Sequence, residues 1–280
     1  MNTPASLRYP RVLAIAGSDS GGGAGIQADL KTFAALGCYG MTAITALTAQ
    51  NTLGVRSIHA VPSNILADQI DAVAEDIGID AVKIGMLHSA GTVRTVAAAL
   101  RRHGLKTVVL DPVMIATSGA VLIDQEAVAV LVSELFPLAT LVTPNLDEAA
   151  LLVGRPLASE ADIEAAARRL LEMGANAVLV KGGHLAGDTV SDLLLGRVGA
   201  PRWMRAPRIA TANTHGTGCT LSSAIAAQLA LGASLGEAVE AGRTFIRGAL
   251  QEGAAVRTGA GSGPLTHGYA PQVMRRLPTP

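Results

Sequence analysis

Val12-Leu-Ala-Ile-Ala16 is an uninterrupted apolar run that leads into Gly17-Ser-Asp-Ser-Gly-Gly-Gly-Ala-Gly25. The glycines give way to Ile26-Gln-Ala-Asp-Leu-Lys-Thr-Phe-Ala-Ala-Leu36, which Gly37 stops. A short run apolar at every position reads as a strand buried on both faces. Apolar residues at 26, 30 and 33, closed by a glycine, read as a helix. The same phrase of strand, loop and helix recurs along the chain. Strands are expected at 41–48, 81–86, 107–110, 139–143 and 177–181, and helices at 63–77, 92–103, 124–136 and 160–173, with two more at 217–231 and 235–252. Between 190 and 209 the pattern is less regular. Strands that are continuous apolar runs, separated by helices, describe a parallel sheet covered by helices on both faces, an α/β fold. No linker-like shift interrupts residues 11–258, so these form one domain, with an N-terminal extension at 1–10 and a Gly/Pro-rich tail at 259–280 expected to be disordered.

Composition narrows the partners. The 280 residues carry 22 Lys+Arg against 22 Asp+Glu and only 2% aromatics, so neither the basic stripe nor the stacking platforms of a nucleic-acid binder are present. Two cysteines, Cys38 and Cys219, cannot build a disulfide framework, which suits a reducing compartment. Residues 1–10 lack the apolar core of a signal peptide, and no stretch approaches the ~18 apolar residues of a membrane span. A soluble cytoplasmic protein acting on a small molecule is expected.

In sheets of this type ligands bind beyond the carboxyl ends of the strands. The residues that stand out fall there: the 17–25 loop, Asp111 after Leu110, Asn145 after Val142, and Gly182 and Gly183 after Val180. The most pointed segment is Asn213-Thr-His-Gly-Thr-Gly-Cys-Thr220, running into an alanine-rich helix. Gly216 and Gly218 allow a nest of backbone N–H groups, and the helix start behind them adds partial positive charge, the makings of a phosphate site. Its alternative is an ordinary cap made by Thr214 or Thr217. Cys219 lies in that helix start, where a thiol's pKa tends to fall, so it is either a base toward an incoming hydroxyl or a packing residue. Asp29 and Gln50 are polar residues in apolar surroundings. The Gln50 amide can complement a ring nitrogen beside an amino group, or both residues can be spent on solvent and loop backbone. Asp111 and Glu148 suit Mg²⁺, although Glu148 three residues after Asn145 is also a favourable helix start. Lys181 either meets a nucleotide phosphate or sits at the surface.

Several chemistries drop out. Gly23-Ala-Gly-Ile-Gln-Ala28 matches a dinucleotide fingerprint only formally, since it begins seven residues after Ala16 and no acid lies between Asp29 and Asp68 to hold a ribose. No Walker A frame, no G-x-S-x-G elbow and no histidine pair at i, i+4 spacing occurs.

Taken together, the 16–33 segment, Lys83-Ile-Gly-Met-Leu87, Leu110-Asp-Pro-Val-Met114, Thr143-Pro-Asn145 with Glu148, Val180-Lys-Gly-Gly-His184 and Thr214-His-Gly-Thr-Gly-Cys-Thr-Leu221 resemble the hydroxymethylpyrimidine/phosphomethylpyrimidine kinases of thiamin biosynthesis, in the ribokinase-like superfamily. The resemblance implies a three-layer αβα sandwich with a mostly parallel sheet, with ATP, Mg²⁺ and a second copy of the chain as partners. It implies phosphorylation of 4-amino-5-hydroxymethyl-2-methylpyrimidine and then of its monophosphate. On this likeness Gly17, Asp29, Gln50, Met86 and Val113 line the pyrimidine pocket. Gly216, Thr217, Gly218 and Cys219 form an anion hole in which Cys219 is catalytic. Asp111 and Glu148 take the metal, and Lys181 and Asn145 the nucleotide phosphates. The chain departs from the pattern at Thr117, where relatives often carry lysine, and at Ser262 in the tail, where many have histidine. A pyridoxal kinase is the nearest alternative, and a non-catalytic pyrimidine sensor a more distant one.

Overall fold

The computed structural model describes residues 7–114, 123–183 and 187–279; Thr117 and His184 fall outside them. In chain order the elements are β1 (Leu7–Arg8), β2 (Arg11–Asp19), α1 (Gly25–Ala35), β3 (Tyr39–Asn51), β4 (Gly54–Ala60), α2 (Ser63–Asp76), β5 (Ala81–Ile84), α3 (Ala90–Arg102), β6 (Val108–Leu110), α4 (Gln125–Leu135), β7 (Leu141–Val142), α5 (Leu146–Val153), α6 (Glu160–Glu172), β8 (Ala177–Val180), β9 (Thr189–Gly196), β10 (Arg202–Pro207), α7 (Thr217–Ala230), α8 (Leu235–Gly253) and β11 (Leu277–Pro278).

Nine of the described strands form one sheet in the order β10-β9-β8-β7-β6-β5-β2-β3-β4. The six from β8 to β3 run parallel; at one edge β9 is antiparallel to β8 and β10 antiparallel to β9, and at the other β4 is antiparallel to β3. Alternation within the buried strands divides the core in two. Leu13, Ile15, Val82 and Ile84 face one apolar cluster, which Leu66 and Ile70 of α2, Val93 and Val96 of α3, Leu131 of α4 and Ile163 of α6 complete. Val12, Ala14, Ala16 and Ala81 face another, built with Ile26 and Phe33 of α1, Ala224 of α7 and Val239 and Phe245 of α8. A sheet sandwiched between two helical layers is the architecture expected from the sequence. Among the described residues, no helix is long and apolar enough to cross a membrane.

Local chemistry sets the helix starts. Ser89 and Asp124 cap α3 and α4, and Asn145, Ser159 and Ser234 each form a reciprocal capping box with the acid three residues on, at the starts of α5, α6 and α8. Helices α1, α2 and α7 start without a side-chain cap, and the N-cap of α7 is Gly216 at φ 85°.

The tail corrects the expectation of disorder. Leu265 and His267 are buried. The Thr266 N–H donates to the Ala249 carbonyl (3.2 Å), Gln272 N–H to Ala35 (2.8 Å) and Arg275 N–H to Gly37 (2.9 Å), and β11 pairs with β1. Glycine and proline here follow an irregular but hydrogen-bonded path instead of loosening the chain, since a buried backbone must find partners.

His267 Nε2 lies 2.9 Å from the Thr220 hydroxyl. Burial, aided by the charge of Lys31, pushes its pKa down to about 4. Between the unfolded value near ~6.5 and 4 the unfolded chain therefore binds a proton that the folded chain refuses, and stability falls as pH drops through that window, by about 3 kcal/mol in all. In chemical denaturation, the stability advantage of wild type over His267→Phe should shrink by that order between pH 7 and 4. A difference independent of pH would contradict this.

Candidate active site

The parallel strands deliver their carboxyl ends to one edge of the sheet, where a cavity of about 630 Å³ opens. That is room for a nucleotide and a small ring together. Gly17, Gln50, Met86 and Val113 line it on one side, and Asp111, Asn145, Glu148 and Lys181 at the centre, with Gly216, Thr217, Gly218 and Cys219 forming one wall. Twelve of the thirteen residues singled out in the sequence thus meet in one place.

The exception is Asp29. Its side chain is fully buried in α1, where both carboxylate oxygens accept from Lys83 Nζ (2.8 and 3.0 Å) and Oδ1 also accepts from the Ser223 hydroxyl (2.7 Å). It does not line the cavity. A carboxylate in an apolar helix face needs a partner, and Lys83, projecting from the apolar strand β5, supplies it. Lys83 itself reaches the cavity. Burial opposes its charge, but Asp29, Cys219 and Asp111 hold its pKa above the ordinary lysine value. A lysine inside the run Ala81-Val-Lys-Ile84 was a legible signal that the sequence reading left without a role.

The phosphate-type loop is built by close packing of two glycine segments. At Gly216 a Cβ would overlap the Gly23 carbonyl, and the positive φ also calls for glycine. The Thr217 hydroxyl donates to the Thr214 carbonyl (2.7 Å) and its N–H to the same oxygen (3.2 Å). Neither threonine acts as a side-chain cap, so the start of α7 keeps its partial positive charge toward the cavity. A Cβ on Gly218 would stand 3.1 Å from Lys181 Nζ and 3.4 Å from Asp111 Oδ2, which locates the loop directly over that pair.

Asp111, 1% exposed, accepts from Lys181 Nζ (2.7 Å) and the Thr143 hydroxyl (3.2 Å) through Oδ1, and from the Ser222 hydroxyl (3.4 Å) through Oδ2. Burial works against the Lys181 charge, yet Asp111 and Glu148 raise its pKa. Asn145 and Glu148 do make the helix start that the sequence allowed as an alternative. The Asn145 N–H donates to Glu148 Oε2 (2.8 Å) and the Glu148 N–H to Asn145 Oδ1 (2.9 Å). Burial, with Asp111 nearby, pushes the Glu148 carboxyl up to about 7 in spite of Lys181. Two buried carboxylates sharing one lysine are an excess of hard oxygen donors whose charge a divalent cation relieves, and this donor set fits Mg²⁺.

Cys219 stands half-buried in the cavity wall beside these groups. A base role required a lowered thiol pKa, but burial pushes it up to about 11, against the pull of Lys83 and the Gly25 N–H, with Asp29 and Asp111 adding to the rise. Proximity to a helix start does not overcome desolvation among carboxylates.

On the other wall the sequence missed Asp19 and His215. The Asp19 carboxylate gathers the N–H groups of Gly21 (2.7 Å), Gly23 (3.0 Å) and Ala24 (2.9 Å) and meets His215 Nε2 at 2.8 Å. Burial opposes its ionisation, but His215 and these N–H groups hold its pKa below the ordinary value. At the far end Asp192 accepts from the Gly182 N–H (2.8 Å) and from Arg243 Nε (2.7 Å), fixing the turn after Lys181.

Comparison with known proteins follows the same path. The family model described as phosphomethylpyrimidine kinase matches residues 19–266. A Rhizobium meliloti protein named hydroxymethylpyrimidine/phosphomethylpyrimidine kinase is 53% identical over 256 residues, 91% of this chain and 96% of its own. The Geobacter sulfurreducens thiamine biosynthesis bifunctional protein ThiED is 53% identical over 270 residues, 95% of this chain, which spans only 54% of that longer relative. Among solved structures, a phosphomethylpyrimidine kinase from Clostridium difficile superimposes with a TM-score of 0.75 at 43% identity, over 85% of this chain and 97% of its own. A Bacillus subtilis pyridoxal kinase bound to ADP gives 0.84 at 37% identity, over 92% and 96%. With a matched segment running from the Asp19 staple to the packed tail, the chain belongs to the phosphomethylpyrimidine kinase family.

Proposed function

We propose that the protein transfers the terminal phosphoryl group of ATP to 4-amino-5-hydroxymethyl-2-methylpyrimidine and then to the resulting monophosphate, giving the diphosphate used for thiamin. The observation that carries this reading is the uncapped start of α7, Gly216 to Cys219, placed over the Asp111–Lys181 pair inside a cavity that also holds Gln50. The names of the relatives point to the same substrate.

Phosphoryl transfer asks a protein chiefly for positioning and for stabilisation of charge on the migrating group. The N–H groups at 216–219 receive that charge. Lys181 reaches the nucleotide phosphates with Asn145 beside it, and Lys83 adds a fixed positive charge from below. Asp111 and Glu148 would hold Mg²⁺, which would supply charge screening to the phosphates. Gly17, Gln50, Met86 and Val113 enclose the pyrimidine, the Gln50 amide meeting its amino edge. Asp29 acts through Lys83 and not by contact. In a loose transition state the attacking alcohol keeps its proton until late. Cys219, protonated at neutral pH, orients the substrate hydroxyl and is no resident base. The reading carries with it a cytoplasmic homodimer, for which Leu47 and Leu53, 49% and 68% exposed, offer an apolar surface.

Measured as ADP release, turnover should be stimulated by the pyrimidine alcohol and by its monophosphate, and only weakly by pyridoxal. Stimulation by pyridoxal alone would assign the chain to the activity named for its Bacillus subtilis structural neighbour. Cys219→Ala should lower turnover at least about tenfold while ATP affinity stays nearly intact; unchanged turnover would remove Cys219 from the reaction. Since no thiolate is required, wild-type turnover should not climb about tenfold per pH unit between roughly pH 7 and 9, the slope that a group with a pKa above that range would impose on a resident base.

A further inference from the structure

Asp19 ends β2 with both carboxylate oxygens engaged, Oδ2 lying 2.8 Å from His215 Nε2. An ionised carboxylate only accepts, so that contact requires a proton on Nε2. Nε2 then has no lone pair to offer the Gln50 amide, which stands 3.3 Å away. On the opposite side the Thr48 hydroxyl lies 3.1 Å from the same amide and 2.9 Å from the Ser18 carbonyl. A carbonyl also only accepts, so the single Thr48 proton goes to Ser18 and the Thr48 oxygen is left to accept from Gln50. The structure sets Gln50 Nε2 toward His215 and Oε1 toward Thr48, but both proton counts call for the amide turned over, with its oxygen toward His215 and its NH₂ toward Thr48. The partners of an amide are what tell its oxygen from its nitrogen.

We propose that Asp19, through the proton it fixes on His215, locks the polarity of the Gln50 amide, so that Asp19, His215 and Thr48 are positioning residues that select a ring edge carrying an acceptor nitrogen beside a donor amino group. The inference rests on the reading of this cavity as an aminopyrimidine site. All four side chains line the cavity. With its Nε2 proton given to Asp19, His215 offers the amide NH₂ no acceptor, while the Thr48 oxygen accepts from the amide nitrogen; one proton stays on the nitrogen and the oxygen keeps its lone pairs for a ligand. An exocyclic amino group next to a ring nitrogen satisfies both in one orientation. A ring that carries a carbonyl next to an N–H presents the reverse pattern, which an amide free to turn over would accept equally. The histidine is held in place as well. Its backbone N–H donates to the Gly263 carbonyl (3.1 Å), and its ring packs so closely on the glycine loop that a Cβ on Gly23 would overlap it.

The test compares kcat/KM for the 4-amino alcohol and for its 4-oxo counterpart in wild type and in His215→Phe, which keeps a ring and removes the proton. The amino-to-oxo ratio should fall at least about tenfold in the variant, through KM more than kcat, because a half-buried amide no longer barred from turning over accepts either ring edge. An unchanged ratio overturns the proposal even if both activities fall together. Thr48→Val, which removes the acceptor on the other side, should lower the ratio in the same direction, and an unchanged ratio there counts equally against the lock. Independently of either variant's folding, NMR of ¹⁵N-histidine-labelled wild type reads the tautomer of His215: a proton on Nε2 is expected, and an Nδ1–H tautomer with bare Nε2 refutes the lock. If wild type phosphorylates neither ring, the kinase reading has failed, and the NMR result still decides the lock.

Discussion

Beneath the cavity floor a lysine and an aspartate, both fully buried, face each other across the join of three elements: Lys83 on β5, Asp29 on α1, and Ser223 on α7 bonded to the aspartate. Removing either charge from such a pair leaves the other stranded in the interior, at a cost of roughly 3–5 kcal/mol. The pair therefore ties the starts of α1 and α7 to the carboxyl end of the same strand. The glycine loop before α1 and the phosphate-type loop before α7 consequently meet, close enough that Gly216 packs against Gly23. Everything the cavity does depends on that meeting.

The neutral composition acquires a local meaning. Anion binding is entrusted to backbone N–H groups at an uncapped helix and to two lysines, each paired with a carboxylate that offsets its charge. Burial, with Asp29 and Asp111 beside it, pushes the Cys219 thiol up to about 11 against the pull of Lys83. One arrangement thus favours a phosphate, accommodates a divalent cation and withholds a free thiolate, which is what phosphoryl transfer needs and what nucleophilic cysteine chemistry does not.

The parallel core was legible because strands buried on both faces have no choice but to be apolar throughout, as at 12–16 and 107–110. Strands at the sheet edges were not. In β4 (Gly54–Ala60) most side chains are exposed, and β9 and β10 mix buried with exposed positions, so no apolar run announces them. Helix α5 was hidden by its length of eight residues, although Asn145 and Glu148 carried its capping signature. The site residues at strand ends could be read because the fold sends ligands there. Asp19 and Lys83 escaped because their roles depend on partners 196 and 54 residues away, which no local pattern reveals. Asp29 stands out in the sequence as a charge in an apolar helix, but only the fold shows that Lys83 is its partner.

The central claim is that the start of α7 is where the phosphoryl group passes. Its most direct test is a crystal structure of the chain with MgADP, aluminium fluoride and the pyrimidine alcohol, in which the fluoroaluminate marks the migrating group. The account predicts that it rests on the N–H groups of residues 216–219, between the nucleotide and the alcohol, with Cys219 beside the hydroxyl. A fluoroaluminate seated instead on the glycine loop at 21–25, with the 216–219 N–H groups facing solvent, would contradict it.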